Sequence, residues 1–477
     1  MAQSVKVNYI LNLINTGSQM LFPLITFPYA CRVIDADGIG QVNFFQSIIN
    51  YISIFTCLGI PMYAIREIAR VRNDIVKMNR TAVEILLLHS LLSLIGYLIV
   101  VLLCFVVPQI QADVVLFLIL SLTIFFTAIG CEWFYQGIED FKYITIRGLV
   151  IKVIALALLF IFVRSKDDIL LYGCYVVFGV LGGNIFNFFR LRKYIHKENV
   201  IFSELRIKPV LKVFSFSLVT SVYLQLNTVL LGFMKSATAV GYFVASTKIM
   251  QMVKGVSSSL GTVMMPRISN LVATKKNEEF KILIQKSYEF SLSISLPLTV
   301  GLIVCAPNLI KLLCGENFEN SILPSQILAP IIYLVAMSNI MGIQVLFPLG
   351  KVNLVTLCCG IGAIVDLLVN LVLIPRYSYI GTAVAYLCAE FATTLSMFLI
   401  ARKYIPIIYI KKEHLKYVLG CSVMFLMLCF VNVWDVPIIV SLLLQGTCGM
   451  VTYFVVLFFC KENYILSFFN RIKEWKK

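Results

Sequence analysis

The chain has 477 residues, a net charge of +16 and a mean hydropathy of +0.92, with 60% of its residues hydrophobic and only 13% charged. A soluble domain carries roughly 25% charged residues, so this balance excludes one. The positive excess then reads as membrane topology and contact with anionic head groups, and nucleic acid is not expected as a partner.

Fourteen apolar stretches run through the chain, each close to the roughly 20 residues that a hydrocarbon core demands. Their expected bounds are 8–31, 40–62, 83–107, 113–136, 146–163 and 168–190, then 213–234, 240–264, 286–306, 323–347, 352–375, 378–401, 415–431 and 437–460. In or at the edges of the N-terminal segment, the even-numbered connections and the C-terminal tail lie 31 of the 40 Lys and Arg. Only Arg32, Arg164, Lys166, Lys235, Lys311 and Arg376 occupy odd-numbered connections, and Lys152, Lys248 and Lys254 fall inside spans. Short basic loops stay in the cytoplasm, so both termini are expected there. The first apolar stretch shows no A-x-A-like cleavage site and is expected to remain as span one.

The chain reads as doubled. Asp37-Gly38-Ile39-Gly40-Gln41-Val42 opens span two and Ala237-Thr238-Ala239-Val240-Gly241-Tyr242 opens span eight; Phe134-Tyr135-Gln136-Gly137 closes span four and Phe347-Pro348-Leu349-Gly350 closes span ten. With six spans per repeat both copies enter in one orientation, related by an axis along the membrane normal. The expected organisation is an N-terminal lobe at 1–195, a cytoplasmic connection at 196–212, a C-terminal lobe at 213–403, and two further spans with a cytoplasmic tail at 404–477. The outer connections are too short for a catalytic domain. No Gly-rich phosphate loop, cofactor motif or metal-ligand spacing is present in the sequence.

Polar residues inside spans fall on stripes. Asn8, Asn12, Asn15, Gln19 and Thr26 share a sector of span one, and Gln46, Asn50, Ser53 and Cys57, flanked by Asn43, share one of span two. Span seven has a weaker stripe of Ser217, Ser221 and Thr228; span eight aligns Lys248, Gln251, Gly255, Ser258, Ser259 and Thr262. Such groups also serve as helix-to-helix hydrogen bonds. Three clear stripes on the leading helices of both lobes favour a polar cavity at the repeat interface. Intramembrane charge is costly and retained for a reason. Lys248 lies about 12 Å into span eight, and Lys254 some 120° off its stripe. Asp366 and Glu390 are the buried acids of the second half, as fitted to ion coupling as to a structural pair. Arg32 ends span one, and the run Arg190, Arg192, Lys193, Lys197 reads as a solvated loop.

Phe22-Pro23-Leu24-Ile25-Thr26-Phe27-Pro28-Tyr29 with Arg32 and Gly38-Ile39-Gly40 resembles the opening signature of the bacterial O-antigen flippases. These form the polysaccharide-transport branch of the multidrug/oligosaccharidyl-lipid/polysaccharide exporter superfamily. Ile65-Arg66-Glu67-Ile68-Ala69 and Trp133-Phe134-Tyr135-Gln136-Gly137-Ile138-Glu139-Asp140-Phe141-Lys142-Tyr143 resemble its cytoplasmic loops. Val240-Gly241-Tyr242-Phe243, Lys248-Ile249, Met265-Pro266-Arg267, Asn370-Leu371-Val372-Leu373-Ile374-Pro375, Ile380-Gly381-Thr382-Ala383 and Glu390 extend the match to about residue 400.

The resemblance implies an all-α membrane protein of two six-helix lobes plus two helices. It also implies alternating-access transfer of an undecaprenyl-pyrophosphate-linked oligosaccharide from the inner to the outer leaflet of the bacterial plasma membrane, with a polysaccharide polymerase and a chain-length regulator as working partners. Lys248 and Arg32 would bind the pyrophosphate, and Asn12, Asn15, Gln19, Gln46, Asn50 and Gln251 the glycan. Asp366 and Glu390 remain for ion coupling, because Asn227 stands where many relatives carry an acid. Two alternatives compete. A drug or metabolite antiporter of the same superfamily favours an acidic cavity, and a membrane polymerase needs a substantial outer loop.

Overall fold

The computed structural model describes residues 5–194, 225–404, 414–432, 434 and 436–462. The connection expected at 196–212, Ser217, Ser221 and the tail beyond residue 462 lie outside the described residues, as do the side chains of Asn8, Asn12, Gln19, Ser258, Ser259 and Thr262.

Among the described residues the regular structure is helical throughout. The first half contains α1 (Val5–Cys57), α2 (Ile60–Val71), α3 (Ile75–Val106), α4 (Pro108–Gln111), α5 (Val114–Gly130), α6 (Glu132–Gly137), α7 (Phe141–Phe162), α8 (Ile169–Leu181), α9 (Gly183–Leu191) and α10 (Gln225–Met234). The second half contains α11 (Ala237–Ala273), α12 (Asn277–Cys314), α13 (Ile322–Leu328), α14 (Pro330–Asn339) continued by a π-helical stretch at Ile340–Leu346, α15 (Val352–Ala401), α16 (Leu415–Asn432) and α17 (Ile438–Phe459). Eight described helices are long and apolar enough to cross a membrane, or ten if each of two bent pairs is one span. In hydrocarbon every backbone N–H and C=O must be satisfied within its own segment, which is why apolar runs of this length close into helices. Many large apolar side chains point outward, among them Leu98, Phe105, Val153, Leu426 and Phe459, as lipid contact requires.

Two of the long helices are broken where the hydropathy pattern places a connection. α1 breaks at Asp35 (φ 68°, ψ 175°), and α15 at Ser378 (φ 51°, ψ −131°). Neither residue is glycine, so each break carries strain of about 1–3 kcal/mol that surrounding contacts must hold. At the first, Asp35 Oδ1 accepts from the Ala36 N–H and Lys166 pairs with Oδ2. Span four, read as continuous over 113–136, is interrupted at Cys131, which takes a left-handed backbone between α5 and α6. Helix starts follow side-chain caps: Asp74 accepts from Lys77 N, Asp113 from Leu116 N and Asp140 from Tyr143 N.

The chain forms two compact units, Met1–Gly241 and Tyr242–Lys477. In the first, the family-like loop motifs fold onto each other. Ile60, Tyr63, Ala64 and Ile68 of α2 pack with Cys131, Trp133, Phe134 and Tyr135 and with Ile144 and Leu191. Glu67 is buried there and receives both Arg66 and Arg70. Buried amides of α9 latch onto α5: Asn184 Nδ2 donates to Phe126 O (2.9 Å), and Asn187 Nδ2 to Gly130 O (2.6 Å).

The repeat read from the sequence has a direct structural expression inside this unit. A methyl group on Gly40 would collide with the Ala237 carbonyl, and one on Gly241 with the Ala36 carbonyl. Thr238 Oγ1 also donates to Asp37 Oδ1 at 2.8 Å. The 201-residue offset that aligns the two motifs carries Gly40 to Gly241 and Ala36 to Ala237, so the two glycine contacts are reciprocal, as a local two-fold axis demands. Glycine is required at both positions because backbone meets backbone with no space for a side chain. In the second unit α12, α14, α15, α16 and α17 contribute to one apolar core, including Ile284, Tyr288, Met337, Met341, Met397, Met424 and Leu457.

Candidate functional site

In the first unit, the polar stripes of spans one and two lie on the two arms of α1. Asn15 is half-buried near Gly148 of α7 (3.5 Å from a Cβ built there). Beside it, Ser18 Oγ accepts from Lys152 Nζ at 2.7 Å, and Thr145 Oγ1 donates to Leu11 O at 3.2 Å. Ser18 and Leu11, beside the stripe, therefore tie α1 to α7, and they bring in a cation, Lys152, that sequence reasoning left unassigned. Its signal was available: Thr145, Gly148 and Lys152 are spaced i, i+3, i+7 along α7. On the second arm, Gln46 Nε2 donates to Asn50 Oδ1 (3.0 Å) and Asn43 Nδ2 to Ile39 O (2.7 Å). Gln46 Oε1 and Ser53 Oγ are buried with no hydrogen-bond partner among the described residues. That leaves unspent hydrogen-bonding capacity on one face, which a helix facing lipid does not keep. Arg32 is exposed just before the break at Asp35.

In the second unit, α11 carries Lys248 partly buried and Gln251 exposed. No ion pair among the described residues involves Lys248. Lys254, by contrast, lies in the field of the Glu390 carboxylate. The two lysines of this helix thus have different surroundings, with the carboxylate of Glu390 acting on the off-stripe one.

Asp366 and Glu390 lie on the two arms of α15, both buried. Asn370 Nδ2 donates to Asp366 O (2.9 Å) and Oδ1 (3.1 Å). The buried Tyr386 hydroxyl feels both carboxylates, Glu390 more than Asp366, which places the three groups in one neighbourhood. Gly362 leaves room for Thr393 Oγ1, which has no partner among the described residues. Asn370, Tyr386 and Thr393 complete a polar cluster that sequence reasoning named only through its acids. Gln344, buried in the π-helical stretch with an unpartnered Oε1 among the described residues, was also missed. A π-turn re-aims side chains and is invisible in composition.

Arg190 departs from its reading as part of a solvated loop. Its guanidinium stacks 3.8 Å from the Tyr143 ring centroid, pairs with Asp140 (2.8 Å) and reaches Tyr194 OH (3.4 Å). The aromatic motif Trp133–Tyr143 supplies the ring and the acid, so the cation is held where a bare charge count sees only a basic loop.

The fold and these residues define a helical membrane protein with polar and charged groups held inside its apolar helices. Solved structures agree on the fold. "Lipid II flippase MurJ, inward closed conformation" matches with a TM-score of 0.72 at 16% identity, covering 95% of this chain and 99% of that one. A multidrug resistance MATE family transporter of the MOP superfamily, inward-facing, matches with a TM-score of 0.61 at 12% identity, over 83% and 98%. The model of the polysaccharide biosynthesis protein family matches residues 5–272, and the chain belongs to that family. Two curated relatives, both named "Putative O-antigen transporter", come from Escherichia coli (strain K12), 25% identical over 84% of this chain and 97% of that one, and from Shigella dysenteriae, 27% identical over 82% and 99%.

Proposed function

We propose that the chain is a flippase for a lipid-linked oligosaccharide, carrying undecaprenyl-pyrophosphate-linked polysaccharide repeat units from the inner to the outer leaflet of the bacterial plasma membrane by alternating access. The observation that carries this reading is Lys248: an intramembrane cation without an acidic partner among the described residues, on the same helix face as Gln251. An intramembrane ammonium without a counterion is expensive, and an anionic substrate supplies the missing charge. The curated relatives' names and the MurJ-like fold support the same substrate class.

Lys248 and Arg32 bind the pyrophosphate through charge-assisted hydrogen bonds. Asn12, Asn15, Gln19, Gln46, Asn50 and Gln251 take the glycan hydroxyls, Gln46 with a carbonyl oxygen to spare. Asp366 and Glu390 couple transport to an ion, with Glu390 also balanced by Lys254. The product is a substrate for a polysaccharide polymerase and its chain-length regulator, the expected partners. A cation antiporter of the same fold is disfavoured by the uncompensated Lys248.

Export of surface polysaccharide in cells carrying only the Lys248→Ala protein tests the reading. Export falls by at least about tenfold, the effect of losing one charge-assisted contact, while membrane abundance holds. Lys248→Arg retains part of it. Normal export by Lys248→Ala, or its restoration by adding Glu390→Gln, overturns the binding role.

A further inference from the structure

α7 and α9 enclose a groove of about 440 Å³ that the flippase reading does not use. Its wall along α7 is Ile146, Val150 and Ile154, one residue per turn over about 12 Å, with Phe186 of α9 opposite. These four are exposed at 50%, 51%, 42% and 55%, so on a membrane-spanning helix they face the acyl chains. The polar end of the groove is formed by Lys142, Arg147 and Arg190 with Asp140 and Tyr143. It is the end at which loop charge predicts the cytoplasm.

The charges at that end do not cancel. Asp140 is taken by Arg190, and Glu132 by one Arg147 nitrogen, Nη2, at 3.2 Å. Lys142 is exposed with no ion pair among the described residues, and Arg147 Nε and Nη1 are buried with no hydrogen-bond partner among them. Arg147 is 11% exposed and held in place on two sides, by the Tyr143 ring (5.9 Å) and by Gly183, where a methyl group would come within 2.9 Å of Nε. An apolar trough about three turns long, ending in cations with spare donors, is complementary to an amphiphile with an anionic head. We propose that this groove binds an anionic glycerophospholipid of the cytoplasmic leaflet, one acyl chain along Ile146, Val150 and Ile154 and the phosphate on Arg147 and Lys142.

The phosphate pairs with the exposed Lys142 ammonium in the field of the Arg147 guanidinium, and a negatively charged head adds attraction that a zwitterionic one lacks. A prenyl phosphate shares the phosphate chemistry, so the experiment separates the two. Full-length protein purified in a non-ionic detergent is titrated with phosphatidylglycerol, phosphatidylcholine and undecaprenyl phosphate, and bound lipid is counted by native mass spectrometry. Phosphatidylglycerol binds most tightly, and Arg147→Gln with Lys142→Gln weakens it by about thirtyfold, as the loss of two cations beside an anionic head predicts. The bulk introduced by Val150→Trp blocks the trough and gives the same loss with both cations present. The lipid-free melting temperature of each variant identifies any loss caused by unfolding; Val150→Trp, on the exposed face, keeps the wild-type value. Equal binding by wild type and by both variants overturns the site, and tighter binding of undecaprenyl phosphate than of phosphatidylglycerol at these residues overturns its assignment to phospholipid.

Discussion

The two charged regions of this molecule handle charge in opposite ways. Around Arg190 and Arg147, at helix ends, each acid has a cation and each guanidinium lies over a ring, and several of these groups still reach solvent. Around Asp366 and Glu390, inside α15, the side chains are enclosed and depend on Asn370, Tyr386 and Lys254. A helix-end charge that loses its partner can turn to water or a head group. A mid-helix charge cannot, so the same substitution costs far more there.

Lys254→Ala is the strongest attempt to break this contrast. Stripping the cation from buried Glu390 costs about 3–5 kcal/mol, read as lost membrane abundance, and Glu390→Gln restores it. Abundance unchanged in the single variant would place the two regions on the same footing. A smaller effect, of about 1–3 kcal/mol, is expected from Asp366→Leu, which leaves Asn370 Nδ2 without its side-chain acceptor, whereas Asp366→Asn keeps an oxygen there and keeps abundance. If Asp366 carries the coupled ion, Asp366→Asn nonetheless loses gradient-driven export in vesicles; full export would remove it from the coupling role.

The smallest effect belongs to the connection before α8. Backbone N–H groups of Arg164 and then Ser165 hold the exposed Asp168 carboxyl below the usual carboxylate range. A lowered pKa favours the folded loop above the unfolded value of about 3.9, and the benefit fades as pH falls through the folded one. Asp168→Asn is therefore expected to lower thermal stability slightly at neutral pH and to leave it unchanged once the pH is below the folded pKa of Asp168. An effect that grows on acidification would contradict that cause.

The sequence by itself determined the membrane class, the all-helical fold and the family, because hydropathy and the family motifs are local and additive along the chain. It also located the doubled motif, whose glycines the structure turns into a reciprocal backbone contact. Only the tertiary structure decided which polar groups meet. Lys248 and Lys254 are six residues apart and alike in sequence, yet the acid that distinguishes them, Glu390, comes from a helix more than a hundred residues away. Lys152 reads only as a charge inside a span until α1 brings Ser18 to it, and Arg190 reads as solvated until Tyr143 and Asp140 cover it. A helix's periodicity says that a face is polar; what that face touches depends on the packing of distant segments, which no local pattern contains.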